Sequence, residues 1–196
     1  FNNIFKENRM KFEPLVKSQG NELFRISDGA KLNLSDLNQV TFENAVSGSA
    51  AICAEKITVI NLCWNNVEIA AESYNEEGLA ALRDYLKKLE DAGAFAFIAV
   101  QAGKPLDDAD KADSFIKAMV HTARRIKDAT SVIGFSVASE LMANDAGKAL
   151  DANSWSQWFV NEMNVKHGHY VYFIQKQFLT QFNIDVKTAE TPYILY

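Results

Sequence analysis

From Val40 onward, short apolar runs alternate with longer stretches that carry hydrophobic residues at helical spacing, and this alternation restricts the fold more than any other feature. Strand candidates are Gln39–Val46, Ile57–Trp64, Ala94–Val100, Ala129–Met142, Tyr170–Ile174 and Tyr193–Tyr196. Asn75 is placed to cap a helix whose Leu79, Leu82, Leu86 and Leu89 form one stripe, closed by glycine at Asp91-Ala-Gly93. Asp107 or Asp108 starts a second helix with Ala112, Phe115, Met119, Ala123 and Ile126 inward. A third carries Trp155, Trp158, Phe159 and Met163 as far as His167-Gly168, and Lys176–Phe182 is a fourth. A short helix at about Ala50–Glu55 completes the set.

Strands separated by helices of this length make right-handed βαβ units and a parallel sheet. The expectation is an α/β fold built on a parallel βα repeat. It is TIM-barrel-like but shortened or incomplete, because about six strands fall two short of a closed eight-stranded barrel. An open doubly wound sheet of the flavodoxin type is the alternative arrangement of the same elements. Ahead of the repeat, Glu22–Gly29 and Ala30–Leu34 form a short β-hairpin around Asp28-Gly29, a strong turn dipeptide. The chain then reads as one domain: an arm over residues 1–20, the hairpin over 21–35, and βα repeats over 39–196.

The run Ala129-Thr-Ser-Val-Ile-Gly-Phe-Ser-Val-Ala-Ser-Glu-Leu-Met142 is the most pointed of the strand candidates. Strict alternation puts Gly134, Ser136, Ala138 and Glu140 on one face, and Ile133, Phe135, Val137 and Leu141 on the other. Small inward groups and bulky outward groups suit a strand of a closed parallel barrel. Glu140 then sits at the strand's carboxyl end, where barrel enzymes keep their chemistry. The competing reading is that Glu140 simply begins a polar loop.

Several function classes are set aside by composition and motif content. The 196 residues are 48% hydrophobic and 23% charged, a globular balance. A net charge of −5 argues against nucleic acid as a partner. No apolar run is long enough to span a bilayer. Two cysteines, Cys53 and Cys63, are too few for a disulfide scaffold or a thiolate metal site and read as core thiols. Glycines stand apart rather than in a phosphate-cradling loop, and no serine elbow of the Gly-x-Ser-x-Gly type occurs. The first residue is Phe1 rather than Met, as expected of a processed chain, secreted or periplasmic.

The order of these features resembles the glycoside hydrolases of clan A, particularly the family-5 cellulase and mannanase barrels. Ile57-Thr-Val-Ile-Asn-Leu-Cys-Trp64 is similar to their second strand, which ends in a tryptophan near the sugar site. Tyr74-Asn-Glu-Glu-Gly-Leu-Ala-Ala-Leu82 looks like the opening of the helix that follows, and Ala94–Gln101 like the third strand. Arg124–Glu140 resembles the fourth strand, whose Asn-Glu pair supplies the acid/base. The likeness covers about residues 20 to 175. At the functional positions the chain departs from the pattern: the family's arginine falls on about Val59, its histidine on Gln101 and its asparagine on Ser139. Glu140 and Trp64 match.

The resemblance implies a carbohydrate-active protein acting by retaining hydrolysis of a β-linked glycan, with no cofactor and no metal. Glu140 is the general acid/base, and Trp64, Asn65, Gln101 and Ser139 line the sugar cleft. Such an acid needs surroundings that raise its pKa, and retention needs a second carboxylate roughly 5 Å away. Glu190 is the late carboxylate beside a strand, but it precedes that strand and so belongs to the opposite end of a barrel. A non-catalytic relative that binds glycan or protein is the second reading. Trp64 itself reads two ways, as an indole that stacks on a sugar with Asn65 and Asn66 meeting hydroxyls, or as a core residue before a polar turn. Trp155 and Trp158 fit a helix core, His121 a structural role, and His167-Gly-His169 lacks the third ligand a metal site requires. An incomplete barrel leaves strand edges, to be covered by a second chain, a further copy or the leading hairpin.

Overall fold

The computed structural model describes residues 12–186 and 192–196. An antiparallel hairpin comes first, β1 (Val16–Gln19) with β2 (Glu22–Arg25). Strand β3 (Asn38–Thr41) and helix α1 (Phe42–Val46) lead to β4 (Thr58–Cys63). One turn of helix, α2 (Trp64–Val67), and a small antiparallel pair, β5 (Glu68–Ala70) with β6 (Ser73–Tyr74), precede α3 (Glu76–Asp91). The chain continues through β7 (Ala96–Gln101), α4 (Ala109–Ile126), β8 (Val132–Ser136), α5 (Ser139–Asn144) and α6 (Trp155–His167). It ends with β9 (Val171–Ile174), α7 (Lys176–Phe182) and β10 (Tyr193–Leu195).

Strands β3, β4, β7, β8, β9 and β10 lie side by side in that order, and every pair is parallel. Each strand adds beside its predecessor, so among the described residues the order never reverses and there is no topological switch point. That winding is the barrel plan and overturns the doubly wound alternative. Right-handed crossovers of this kind place the helices on one face. There Ile60, Leu62, Ile98, Val100, Tyr172 and Ile174 pack against the apolar stripes of the helices.

The other face is concave and is covered by the leading segment. Val59, Phe97, Ala99, Ile133, Phe173 and Ile194 form its buried surface, and Val16 and Leu23 of the hairpin pack onto it. Leu32, Leu34 and Leu37 extend the cover. Phe97 and Phe173 stack with ring centroids 4.1 Å apart, and Tyr196 meets Phe97 edge-on at 5.0 Å. The hairpin also reaches the sheet's outer edge. Asn21 accepts a hydrogen bond from the Leu195 N–H at 2.5 Å and donates to its carbonyl at 3.4 Å, so one side-chain amide meets an edge residue as a strand would. The leading segment thus packs on one face of the sheet and touches the β10 edge at Leu195.

Local signals placed most of the repeat correctly. Asn75 caps α3 by accepting from the Gly78 N–H, and Asp108 caps α4 by accepting from the Lys111 N–H. Gly93 takes the left-handed conformation (φ 71°) just past α3, as the closing glycine should. All the leucines of the α3 stripe and all five inward residues of α4 are buried.

Four expectations need correction. The hairpin turns at Gly20-Asn21 rather than Asp28-Gly29, so residues 16–19 of the supposed arm are a strand. Asp28-Gly29 does turn the chain, but the return pairs through a single bridge, Phe24 with Lys31. Val16 and Leu23 are both buried by this pairing, and that burial decides the register. Second, Gln39–Val46 is half strand and half helix, because Thr41 caps α1 by accepting from the Asn44 N–H. Third, no helix forms over residues 50–55. Fourth, the run Ala129–Met142 is strand only over Val132–Ser136 and becomes α5 at Ser139.

Within β8 the alternation breaks as well. Ala96 pairs with Val132 but Phe97 pairs with Gly134, which leaves Ile133 as the extra residue of a bulge. Ile133 therefore joins the concave cluster while Phe135, two residues on, joins the helix-side core. Where the ladder lapses, the Ser136 hydroxyl accepts from the Val100 N–H at 3.1 Å. A side chain thus satisfies a buried backbone donor.

Candidate functional site

The carboxyl ends of β4, β7 and β8 converge on one rim, where parallel-sheet proteins place their ligands. At the end of β4, Cys63 passes into α2, and the Trp64 indole turns inward. It is only 6% exposed. Its Nε1–H donates to Glu68 at 2.5 Å, Phe115 meets it edge-on at 5.8 Å, and the Lys104 ammonium lies over its ring at 4.1 Å. The second Glu68 oxygen accepts from the Glu72 N–H at 2.9 Å, which ties α2 to the β5–β6 turn.

The segment that leaves β7 carries Lys104. Gly103 adopts a φ of 71°, and its N–H donates to Glu140 Oε1 at 2.9 Å. Asn144 holds the Leu106 carbonyl at 2.8 Å, and Leu106 is itself buried. Two residues of α5 thus pin the loop on either side of Lys104 and Pro105. Asp107 closes the loop in an ion pair with Lys111 at 2.5 Å.

Glu140 stands in the first turn of α5, where a helix favours a carboxylate. Its second oxygen accepts from the Ser139 hydroxyl at 3.0 Å. Ser139 and Glu140 line a cavity of about 490 Å³ together with Lys104, Asp107 and Phe182. Trp64 and Asn65 border a neighbouring one of about 210 Å³ with Glu68 and Lys104. A third, of about 460 Å³, runs from Trp64 and Lys104 along Ile69 to Asp110. Gln101 ends β7 opposite Cys63 and is exposed.

The structure thus gathers Trp64, Asn65, Ser139 and Glu140 around one loop. It departs from the expected sugar platform in that Lys104 covers the Trp64 ring. Glu68 and Lys104 were not singled out from sequence. Glu68 is four residues from Trp64, one helical turn on, and that spacing was the available signal. Val59, where the family pattern has an arginine, is buried in the concave core. Asp107 is the other carboxylate lining the Glu140 cavity among the described residues. Glu190 lies outside the described residues. No group of three histidine, cysteine or acidic side chains among the described residues could hold a metal. No helix there is long and apolar enough to cross a membrane.

The histidines resolve into packing roles. His121 stacks on Tyr74 at 3.9 Å between Glu76 and the arginines of α4. His167 is 2% exposed, and neither ring nitrogen has a hydrogen-bond partner among the described residues. Burial, helped by His169 and then Lys127, pushes its imidazole down to about 4. A base whose pKa falls on folding leaves the unfolded chain as the tighter proton binder between that value and the ordinary one near 6.5. Stability is then fully present above pH 6.5 and is lost as pH falls toward 4, by up to ~3 kcal/mol. His121 and His169, both pushed down chiefly by burial, act in the same direction. Urea denaturation at pH 7.5 and pH 5 is expected to show about 2 kcal/mol of this loss, and His167→Phe to reduce it. An equal loss in the variant would assign the effect to other groups.

No protein-family model matches the sequence. No curated protein matches it. Among solved structures, the chain is similar to GH5_18 from Bifidobacterium longum subsp. longum, at 14% identity and a TM-score of 0.46 over 68% of this chain and 38% of that one. A variant of that enzyme in complex with Manβ1-4GlcNAc gives the same identity and TM-score over 61% of this chain and 34% of the other. The chain spans about a third of the length of the solved structures it matches. Values this low bear on neither family nor activity.

Proposed function

We propose that the rim formed by Trp64, Lys104, Ser139 and Glu140 is a glycan-binding cleft, and that Glu140 serves it as the brace of the Gly103–Leu106 loop. The observation that carries this reading is the commitment of both Glu140 oxygens, one to the Gly103 N–H and one to the Ser139 hydroxyl. A residue so engaged sets the shape of the loop that all three cavities share. Asn65, Gln101 and Ser139 offer amides and a hydroxyl of the kind that meet sugar hydroxyls.

Retaining hydrolysis of a β-linked glycan, with Glu140 as acid/base, is the second reading. It is favoured by the place of Glu140 at the carboxyl end of β8 and by Asp107 in the same cavity. Calorimetric titration against a panel of oligosaccharides, with product analysis, separates the two. Binding without turnover is expected, with little change in Glu140→Gln and a marked loss in Glu140→Ala, which frees the loop. Turnover in the wild type that falls by about 10² or more in Glu140→Gln would establish the hydrolase. Binding to no glycan would remove both readings.

A further inference from the structure

The charged groups of the cleft differ in whether the protein satisfies them. Glu68 accepts from the Trp64 indole and the Glu72 N–H, Glu140 accepts from Gly103 and Ser139, and Asp107 pairs with Lys111. Asp110 sits in the first turn of α4, in the favourable field of a helix start. Lys104 differs from the other cation of the cleft, Lys111, which pairs with Asp107 and Asp108. Among the described residues Lys104 has no carboxylate partner, and its ammonium lies over the Trp64 ring. Its ammonium keeps three donors for a ligand.

Its position makes that surplus consequential. Lys104 borders all three cavities of the rim. The loop beneath it is fixed by Glu140 and Asn144 on either side, so the backbone presents the side chain from a set place. The ammonium also lies over the aromatic face that a neutral sugar would need, so a ligand reaching Trp64 has to displace it. A ligand with its own anionic group gives the displaced ammonium a new partner; a neutral ligand forfeits the cation–π contact without replacement.

Resting on the glycan-binding reading, we propose that the cleft selects acidic glycans, oligosaccharides that carry a uronic acid carboxylate, and that Lys104 is the specificity-determining residue that pairs with it. The test is calorimetric titration of the whole chain with tetragalacturonate and with a neutral tetrasaccharide, at low and high salt. The wild type is expected to bind the acidic ligand about tenfold more tightly, the worth of one charge-assisted hydrogen bond. The preference should shrink with salt. Lys104→Met should abolish it, bringing the ratio of acidic to neutral affinity to about one, and Lys104→Arg should keep it. Equal affinities in the wild type, or a preference that survives Lys104→Met, would overturn the inference and leave glycan binding standing. Binding of neither ligand would overturn the inference and the glycan reading together. Because Lys104 is exposed on a loop tip, a folded Lys104→Met protein is expected, and circular dichroism checks it.

Discussion

Gly134→Ala is expected to destabilise the protein by about 3 kcal/mol or more, the upper end of what overpacking costs. A Cβ on Gly134 would stand 1.8 Å from the Val171 carbonyl oxygen and 3.0 Å from the Phe173 ring. The first neighbour is backbone of the adjacent strand, paired directly with Gly134 in the parallel ladder. Relief requires β8 and β9 to part, and both are buried in the middle of the sheet. A loss of this size is a large share of the 5–15 kcal/mol that holds a typical domain together. Gly168→Ala is the matched control, since its Cβ would meet the Asn164 carbonyl at an ordinary 3.6 Å. It should change stability by less than about 1 kcal/mol. Denaturant titration of both variants decides the matter, and a Gly134→Ala cost below that of the control would show that the strands are not this close.

Leu23→Ala is expected to cost about 3 kcal/mol, within the range for a fully buried leucine cut to alanine. Leu23 has no exposed surface, although it lies in a two-stranded hairpin outside the main sheet. A hairpin of that size is marginal alone. Its burial comes from the concave face of the sheet, where Leu23 belongs to one cluster with Phe97, Ile133 and Phe173. Truncation opens a cavity there and loosens the cover of the whole face. Leu23→Met, which keeps the volume, should cost less than about 1.5 kcal/mol. If Leu23→Ala costs no more than Leu23→Met, the hairpin is an ornament and the concave face is held by the sheet's own side chains.

The two variants probe features of different visibility in the sequence. The six parallel strands and the helices α3, α4, α6 and α7 follow from local patterns: hydrophobic stripes at helical spacing, Asn75 and Asp108 as caps, and glycine past α3. Such signals act over a few residues and survive whatever surrounds them. The monotonic strand order is consistent with them but was settled by the sheet, because the same βα repeat also permits a doubly wound order.

What escaped the sequence involves partners far apart along the chain. Leu23 chose its strand partner by burial against Phe97 and Phe173, so Gly20-Asn21 became the turn although Asp28-Gly29 carries the stronger local signal. The bulge at Ile133 arises from the register with β7 and moved Ile133 and Phe135 to opposite faces. The strand pattern ran on to Met142 because Leu141 and Met142 are apolar and buried, and a short apolar run does not separate strand from helix. Glu140 was legible as a carboxylate past a strand. That it braces Gly103, 37 residues away, was not. Nor was the placing of Lys104 over Trp64, since helix α2 and the loop after β7 meet there only after the sheet has aligned the ends of β4 and β7. Local periodicity decided which elements form, and packing between distant segments decided what their side chains touch, because contact energies depend on proximity in space rather than along the chain.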